Sequence, residues 1–215
     1  MNESDYRELC EIVARVIKID SSEVSLDSSI DDLGGDSLHR VEIIMALEAE
    51  APNMAKWENV FFSGVGKVNA ALTAGKLIER YQPRTVWNFG TAGGIKLGSG
   101  LHEMKNFVER DKGKCPESIE LVLPTDPQII SYGIGYTCST GDNFVTDPNL
   151  EIPAHVVDME AYAIGKACLN QHVDFKCFKY VSDQADEGAD EDWLKNIADG
   201  EEHYIKIFQQ VTGGG

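Results

Sequence analysis

The chain has 215 residues, of which 42% are hydrophobic, and a formal net charge of −17. This length predicts one or two domains around one good core, and the excess of acids disfavours nucleic acids and anionic membranes as partners. No stretch of about 18 residues is continuously apolar and no signal peptide is recognisable, so we expect a cytoplasmic protein.

The five cysteines are an odd number without a CxxC pair. This pattern argues for reduced thiols in a cytosol and against a zinc ribbon. No set of His, Cys and acidic residues has the spacing of metal ligands, so we expect no metal site.

The acidic charge is concentrated at the start of the chain. Residues 1–50 hold 13 acids against 4 Lys and Arg, whereas the other 165 residues hold 23 against 15. We therefore predict a separate acidic head on residues 1–40, which can extend to 50, and an α/β body on residues 41–215.

The head has a helical stripe over residues 3–17, then a polar, turn-rich loop, then Asp36-Ser37-Leu38 at the start of a helix from Leu38 to Glu50. The segment LGGDSLHRVEIIMALEAE resembles the modification site and second helix of an acyl carrier protein. Taken alone, Ser37 is more typical of a helix N-cap. Nothing after Glu50 resembles the last two helices of a carrier.

The carrier resemblance implies a covalent group and protein partners. Ser37 would carry 4'-phosphopantetheine, attached by a phosphopantetheinyl transferase, and acyl-loading enzymes would follow. Asp36, Glu42 and Glu48 would supply the negative charge on which those partners dock.

Residues 41–51, VEIIMALEAEA, fit two structures. As a helix they present an apolar side, and as a strand they hold a continuous apolar run, Ile43 to Leu47, of the kind buried on both faces of a parallel sheet. Periodicity does not choose between the two. We favour the strand and interpret the segment as a junction where two similar sequences merged.

The body begins with alternating strands and glycine turns. We predict a strand over Glu58 to Phe62, a glycine turn over 63–67 and a helix from Val68 to Arg80. A second strand, Thr85 to Phe89, ends in the glycine loop 90–94. Glycines before a helix can cradle an anion or allow a ligand to approach, although a plain tight turn is the commoner explanation.

The middle of the body is more polar. For residues 97–114 we favour a surface loop, with His102 and Arg110 as weaker site candidates. A strand over Ile129 to Cys138 then leads into the turn STGDNF, residues 139–144. Phe144 there is either a core residue or a platform for a flat ligand.

The C-terminal part places acids at two element ends. Asp158 is a suitable N-cap for a helix, which puts Glu160 in its first turn, and the strand Phe175 to Val181 ends at Ser182 and Asp183. Ligands of α/β sheets bind at such positions, although caps and solvated acids are common there too. An acidic loop and a closing helix from Trp193 to Val211 complete the chain.

Several of these segments match one family. Asp-Met-Glu-Ala at 158–161 and Val-Ser-Asp-x-Ala-Asp at 181–186 closely resemble the signature of the 5'-methylthioadenosine/S-adenosylhomocysteine nucleosidases, in the nucleoside phosphorylase superfamily. MALEAEAP, GTAGG and STGDNF resemble its other segments. The resemblance implies a three-layer fold, with a mixed sheet flanked by helices, and a homodimer that acts on an adenine nucleoside. The family has a strand pair where this chain has only Ala51 to Ser63.

The resemblance also implies roles for individual residues. Breaking a purine N-glycosidic bond requires an acid at the base and a carboxylate that aims water at the sugar. Asp183 would be the acid, Glu160 would hold the ribose hydroxyls, and Glu50 would orient the water. The implied substrate-binding residues are Thr91, Phe144, Val145, Met159 and Ser182.

The absence of phosphate-binding arginines indicates which nucleophile the chain would use. Phosphorylases of the superfamily hold phosphate with arginines, one of which would stand where this chain has Asn88, and no arginine occurs between Arg40 and Arg80. Water is therefore the expected nucleophile, without a cofactor. The alternatives are a carrier module with Ser37 loaded and an inactive body, or a broken fusion that folds poorly.

Overall fold

The computed structural model describes residues 41–111, 129–147 and 152–212, together with Ser22 and Ser25. The predicted head helix, Asp36 and Ser37 lie outside the described residues. Each helix among the described residues is too short or too polar to span a bilayer.

In the described part of the chain, eight strands form one mixed sheet. They are β1 (Val41–Met45), β2 (Val60–Phe62), β3 (Thr85–Gly94), β4 (Gly100–Glu109), β5 (Ile129–Ser131), β6 (Tyr136–Thr140), β7 (Val156–Asp158) and β8 (Asp174–Asp183). The strand order is β2-β1-β3-β7-β6-β4-β5, and β8 pairs with both β3 and β4. The strands β3, β8, β4, β6 and β7 therefore close into a ring.

Helices cover both faces of the sheet. They are α1 (Lys67–Tyr81), α2 (Ala161–Asn170), α3 (Ala189–Asn196) and α4 (Glu201–Thr212). On α1 the buried residues Ala70, Ala74, Leu77 and Ile78 form one apolar stripe, and the helix ends at Gln82 in the left-handed conformation.

Two large apolar clusters lie on opposite faces of the sheet. One joins α1 and α2 to the sheet through residues such as Ile44, Val86 and Ile164. The other joins α4 to it through Trp87, Phe89, Phe178 and Tyr204, with the rings of Phe89 and Tyr204 stacked at 4.9 Å. The α/β fold class with helices flanking a mixed sheet is thus confirmed.

The ambiguous segment 41–51 is a strand followed by a 3₁₀ turn, Glu48–Glu50. β1 pairs in parallel with both β2 and β3, and Ile43, Ile44 and Met45 are fully buried. The carrier-type helix predicted to run to Glu50 is therefore wrong for residues 41–50. Glu42, predicted to dock partner enzymes, is also fully buried and cannot face a partner from this position.

Other predicted elements needed correction. The preferred surface loop over 97–114 is wrong for residues 100–109, because β4 occupies them in the middle of the sheet and pairs with β5, β6 and β8. Ile129 to Cys138 is two strands rather than one, and the short strand β7 was missed. The closing helix is two helices, α3 and α4, which are separated around Gly200, where Tyr204 packs too closely to admit a side chain.

Candidate active site

A cavity of about 310 Å³ opens at the carboxyl ends of six strands. It is lined by residues at or just after the ends of β1, β3, β4, β6, β7 and β8, together with residues from the turn before α1 and from α3. The polar residues that line it are Glu50, Thr91, Arg110, Asn143, Asp158, Glu160, Asp183 and Asp190. Its volume is at the lower end of the range for small-molecule sites.

The three predicted catalytic acids come together in this cavity. Glu50, Glu160 and Asp183 all line it, and they are 3%, 7% and 5% exposed. Three distant parts of the chain thus supply carboxylates to one enclosed volume. Glu50 reaches the cavity even though only a short segment links it to the glycine turn.

Glu50 is held by Thr91 of β3, in the segment 90–94 that was predicted as a glycine loop but is part of the strand. Its Oε1 accepts hydrogen bonds from the Thr91 backbone N–H at 2.8 Å and from the Thr91 hydroxyl at 2.9 Å. The Trp193 indole N–H donates to the same hydroxyl oxygen at 3.0 Å. The Glu50 Oε2 accepts a hydrogen bond from the Leu47 backbone N–H at 3.0 Å, so both carboxylate oxygens are fixed. Through Thr91, the position of the carboxylate also depends on a side chain from α3.

The segment that carries Glu50 is also anchored from the other end of the chain. The buried Glu201 carboxylate, at the start of α4, accepts hydrogen bonds from the backbone N–H groups of Asn53 and Met54 at 2.6 and 2.9 Å, and from the Asn53 amide at 2.8 Å. Three N–H bonds to one buried carboxylate thus tie α4 to the turn after Glu50.

Glu160 precedes α2, so the prediction that it lies in the first helical turn is wrong by one position. Its Oε1 accepts a hydrogen bond from the Gly66 backbone N–H at 2.8 Å, which gives the predicted glycine turn a structural function. Burial and the nearby Asp158 carboxylate raise the pKa of Glu160 to about 7. Glu160 is therefore costly to ionise in the free protein.

Beneath Glu160 lies a buried ion pair that sequence reasoning missed. Lys179 Nζ lies 2.8 Å from Asp158 Oδ2, and both side chains are almost completely buried. Burial opposes both charges, but the pair as a whole lowers the pKa of Asp158 and raises that of Lys179. Asp158 also accepts hydrogen bonds from the Thr140 hydroxyl at 2.5 Å and from the Ala161 N–H at 2.8 Å. The N-cap position of α2 is Glu160, so the prediction of Asp158 as N-cap is wrong by two positions, although its side chain does accept a bond from the first helical N–H.

Asp183 ends β8 and is held by local donors. Its Oδ1 accepts from the Ala185 N–H at 3.0 Å, and its Oδ2 accepts from the Ser182 hydroxyl at 2.9 Å. Burial raises the pKa of Asp183, and the acids Asp186 and Asp192 raise it further. The carboxyl group thus keeps a proton to higher pH than an ordinary aspartate, as a general acid requires.

The predicted substrate-binding residues are only partly gathered. Thr91, Phe144, Val145 and Met159 line the cavity, whereas Ser182 lies behind Asp183 and is not part of the lining. Phe144 is 43% exposed and meets Trp193 edge to face at 6.3 Å, so it is not a core residue. Because the two rings meet edge to face, neither ring covers both faces of the other, and a ring face remains available for a flat ligand.

The two weaker site candidates, Arg110 and His102, lie in different places. Arg110 lines the cavity, whereas His102 lies on β4 away from it, with Nε2 3.0 Å from the Gly98 carbonyl. Asn88, which stands where phosphorylases have an arginine, is buried and donates to the Ile44 carbonyl at 2.9 Å. Trp193, Asp190 and Leu194 of α3 line the cavity but were not predicted to do so. Asp190 was expected in an acidic loop and the other two in the closing helix, and neither segment carried a recognised motif.

Curated relatives of this chain are nucleosidases. The 5'-methylthioadenosine/S-adenosylhomocysteine nucleosidase of Staphylococcus haemolyticus is 31% identical over 159 residues, which cover 60% of this chain and 69% of that protein. The chain belongs to this nucleosidase family. The family member of Exiguobacterium is 26% identical over 220 aligned positions, which cover 82% of this chain and 92% of the relative. The match to the Bacillus cytotoxicus nucleosidase spans only 66% of that relative.

Family profiles and solved structures complete the comparison of this nucleosidase family member. A profile described as "Phosphorylase superfamily" matches residues 58–103, and one described as "Phosphopantetheine attachment site" matches residues 7–52. Two Helicobacter pylori structures, a futalosine hydrolase mutant and a nucleosidase mutant with 5'-methylthioadenosine in the active site, each give a TM-score of 0.70. They are 17% and 16% identical, cover 82% and 81% of this chain, and extend over 99% and 98% of their own chains, so they establish the fold.

Proposed function

We propose that this protein hydrolyses the N-glycosidic bond of 5'-methylthioadenosine or S-adenosylhomocysteine and releases adenine. The observation that carries the proposal is the convergence of Glu50, Glu160 and Asp183 on one cavity. Asp183 donates a proton to the leaving purine, and Glu160 with the Met159 backbone holds the ribose hydroxyls. Glu50 orients the attacking water. The carboxylates also favour the positive charge that develops on the sugar.

The charges around the cavity support water as the nucleophile rather than phosphate. Among the described residues that line the cavity, Arg110 is the single cation, and four of its N–H bonds already go to backbone carbonyls. Lys179 is paired with Asp158. Phosphate binding needs a free guanidinium or ammonium group. The carboxylates of Glu50, Glu160 and Asp183 have no such free cation beside them, so the cavity disfavours an anionic nucleophile.

Adenine release tests the proposal directly. We expect the purified protein to release adenine from 5'-methylthioadenosine in buffer free of phosphate, with a rate that added phosphate does not increase. The sugar product should be the free thio-ribose and not its 1-phosphate, which chromatography distinguishes. Intact substrate after long incubation with folded protein would reject the proposal, and a phosphate-dependent rate would reassign it to phosphorolysis.

The base-binding residues and the cellular setting are part of the same proposal. Phe144 stacks on the purine, backbone groups near Val145 read its edge, and Thr91 lies beside the ribose. Ser182 contributes through its hydrogen bond to Asp183 rather than by direct contact. We further propose a cytoplasmic homodimer, as the family resemblance and the reduced thiols indicate.

A second proposal concerns the head, and the profile match over residues 7–52 favours it. Ser37 would accept 4'-phosphopantetheine from a phosphopantetheinyl transferase. The last ten or so residues of that match are β1 and the 3₁₀ turn, so a carrier's second helix competes with the sheet for the same residues. A transferase must therefore recognise the head without that helix.

Intact mass measurement tests the head. After incubation with a transferase and coenzyme A, we expect one phosphopantetheine arm on the wild-type protein and none on the Ser37→Ala variant, with adenine release equal in both. An unchanged wild-type mass, with a bona fide carrier protein loaded in the same reaction, would show that β1 has removed the recognition element. The Ser37 proposal would then be withdrawn, without consequence for the nucleosidase.

A further inference from the structure

Arg110 makes contacts that the proposed chemistry does not use. Its guanidinium donates hydrogen bonds to four backbone carbonyls, at 2.6, 2.7 and 3.1 Å for three of them. The four acceptors are the carbonyls of Ser139, Asp158, Gly141 and Asn143. Ser139 is in β6, Gly141 and Asn143 belong to the turn after it, and Asp158 ends β7 next to Met159 and Glu160. One side chain thus bridges the two halves of the cavity.

We propose that Arg110 is a positioning residue that sets the spacing between the base-binding turn, residues 141–145, and the ribose-binding residues Met159 and Glu160. The inference rests on the proposed function, because it assigns the two sides of the cavity to base and sugar. A planar guanidinium can hold four carbonyls from two segments in one plane, whereas a lysine ammonium cannot. The role therefore requires arginine and not merely a positive charge.

The neighbouring glycine supplies a second observation. A Cβ at Gly141 would lie 2.8 Å from Arg110 Cγ and 2.9 Å from both Cζ and Nε, closer than real contacts allow. Gly141 is not among the positive-φ glycines of the described residues, so its backbone conformation would accept alanine. The glycine is therefore needed for the space it leaves to the guanidinium.

The residues that flank Arg110 hold the same turn from its outer side. Lys67 Nζ lies 2.7 Å from Glu109 and also contacts Asp111, and the Lys67 N–H donates to Asp142 Oδ1 at 2.8 Å. The Asp142 N–H donates to Asp111 Oδ2 at 2.7 Å. The segment Glu109-Arg110-Asp111 thus binds the carbonyls and one backbone amide of the base-binding turn directly. It binds the side chain of Asp142 through Lys67.

The charge of Arg110 is consistent with a fixed structural contact. Burial lowers the pKa of the guanidinium, and the Asp158 carboxylate partly offsets this. Its Nε is buried without an acceptor among the described residues. Since four of its five donors are used and the fifth is enclosed, Arg110 has little capacity to bind a ligand group itself. It acts through the backbone that it holds.

The test is a double-mutant cycle between Arg110 and Gly141 with the full chain. We expect Arg110→Lys and Gly141→Ala each to raise KM for 5'-methylthioadenosine about tenfold or more, with a melting temperature close to that of wild type. In an Arg110→Ala background the added Gly141→Ala should cost nothing further, because the clash is gone. Arg80→Lys, an exposed arginine on α1, is the matched control.

Hydrogen exchange gives a readout independent of turnover. Amides of residues 141–145 should exchange faster in Arg110→Lys, while those of α1 remain as in wild type. Wild-type KM and exchange in both single variants would overturn the inference, as would a Gly141→Ala cost that persists without Arg110. If the wild-type protein released no adenine, the proposed function would fail, whereas the exchange data would still test the bridge between the two segments.

Discussion

Replacing Asp183 with asparagine is expected to reduce adenine release by about 10²- to 10⁴-fold, the usual contribution of a general acid. The amide can keep the hydrogen bond from the Ala185 N–H, so the fold and the cavity should persist. It has no proton to give to the leaving purine. Steady-state kinetics with 5'-methylthioadenosine measure the loss, and the melting temperature should stay near that of wild type.

Asp192 provides the matched control for this experiment. It is an exposed acid of α3 that raises the pKa of Asp183 through its charge alone. Asp192→Asn should therefore remain active but lose activity at a lower pH than wild type, because Asp183 then gives up its proton earlier. A fully active Asp183→Asn variant would remove Asp183 from the chemistry, and an unmoved alkaline limb in Asp192→Asn would argue that another group titrates.

Glu160→Gln is expected to change activity and stability in opposite directions. Loss of the carboxylate that we propose holds the ribose hydroxyls should lower kcat/KM at least about 100-fold. The folded protein, however, raises the pKa of Glu160 from 4.5 to about 7. The stability that this side chain contributes is therefore complete below pH 4.5 and is lost as the pH rises to about 7. At pH 8 glutamine should be more stable than glutamate by up to about 3 kcal/mol.

Denaturant unfolding at pH 5 and pH 8 measures this effect. The gain of the Glu160→Gln variant should appear at pH 8 and shrink at pH 5, because the wild-type carboxyl is then largely protonated in the folded state. Glutamine can still accept the Gly66 N–H bond, so that contact should not differ. Glu79→Gln, an exposed residue on α1, is the control. Equal stability of the two proteins at pH 8 would contradict the raised pKa.

Local sequence patterns predicted many helices and strands correctly, because the spacing of apolar residues reflects which face of an element is buried. The stripe of α1 and the apolar run of β3 are continuous in the chain, so their burial can be inferred from periodicity. The strand β4 was not predicted, because its residues are largely polar and its pairing partners, β6 and β8, come later in the sequence. Among the residues of β4 only Met104 and Phe107 are buried and the others are half-buried, so its sequence lacks the alternation that marks a strand and is typical of a polar loop as well.

The segment 41–50 shows most directly where prediction of secondary structure from sequence fails. Its sequence satisfies helical and extended periodicity equally, and the choice depends on β2 and β3, which pair with it on both sides. A strand buried on both faces gains more from its neighbours than from its own propensity. The prediction of a strand was confirmed, but the residues themselves did not require it.

Sequence alone predicted three acids that line the cavity, because Glu50, Glu160 and Asp183 stand in short motifs that can be recognised without the fold. It could not show which side chains support them. Lys179 beside Asp158, Trp193 beside Thr91 and Glu201 beside Asn53 are contacts between residues far apart in the chain. Such pairs form only when the sheet closes and α3 and α4 pack on it, since burial and distance are properties of the folded chain.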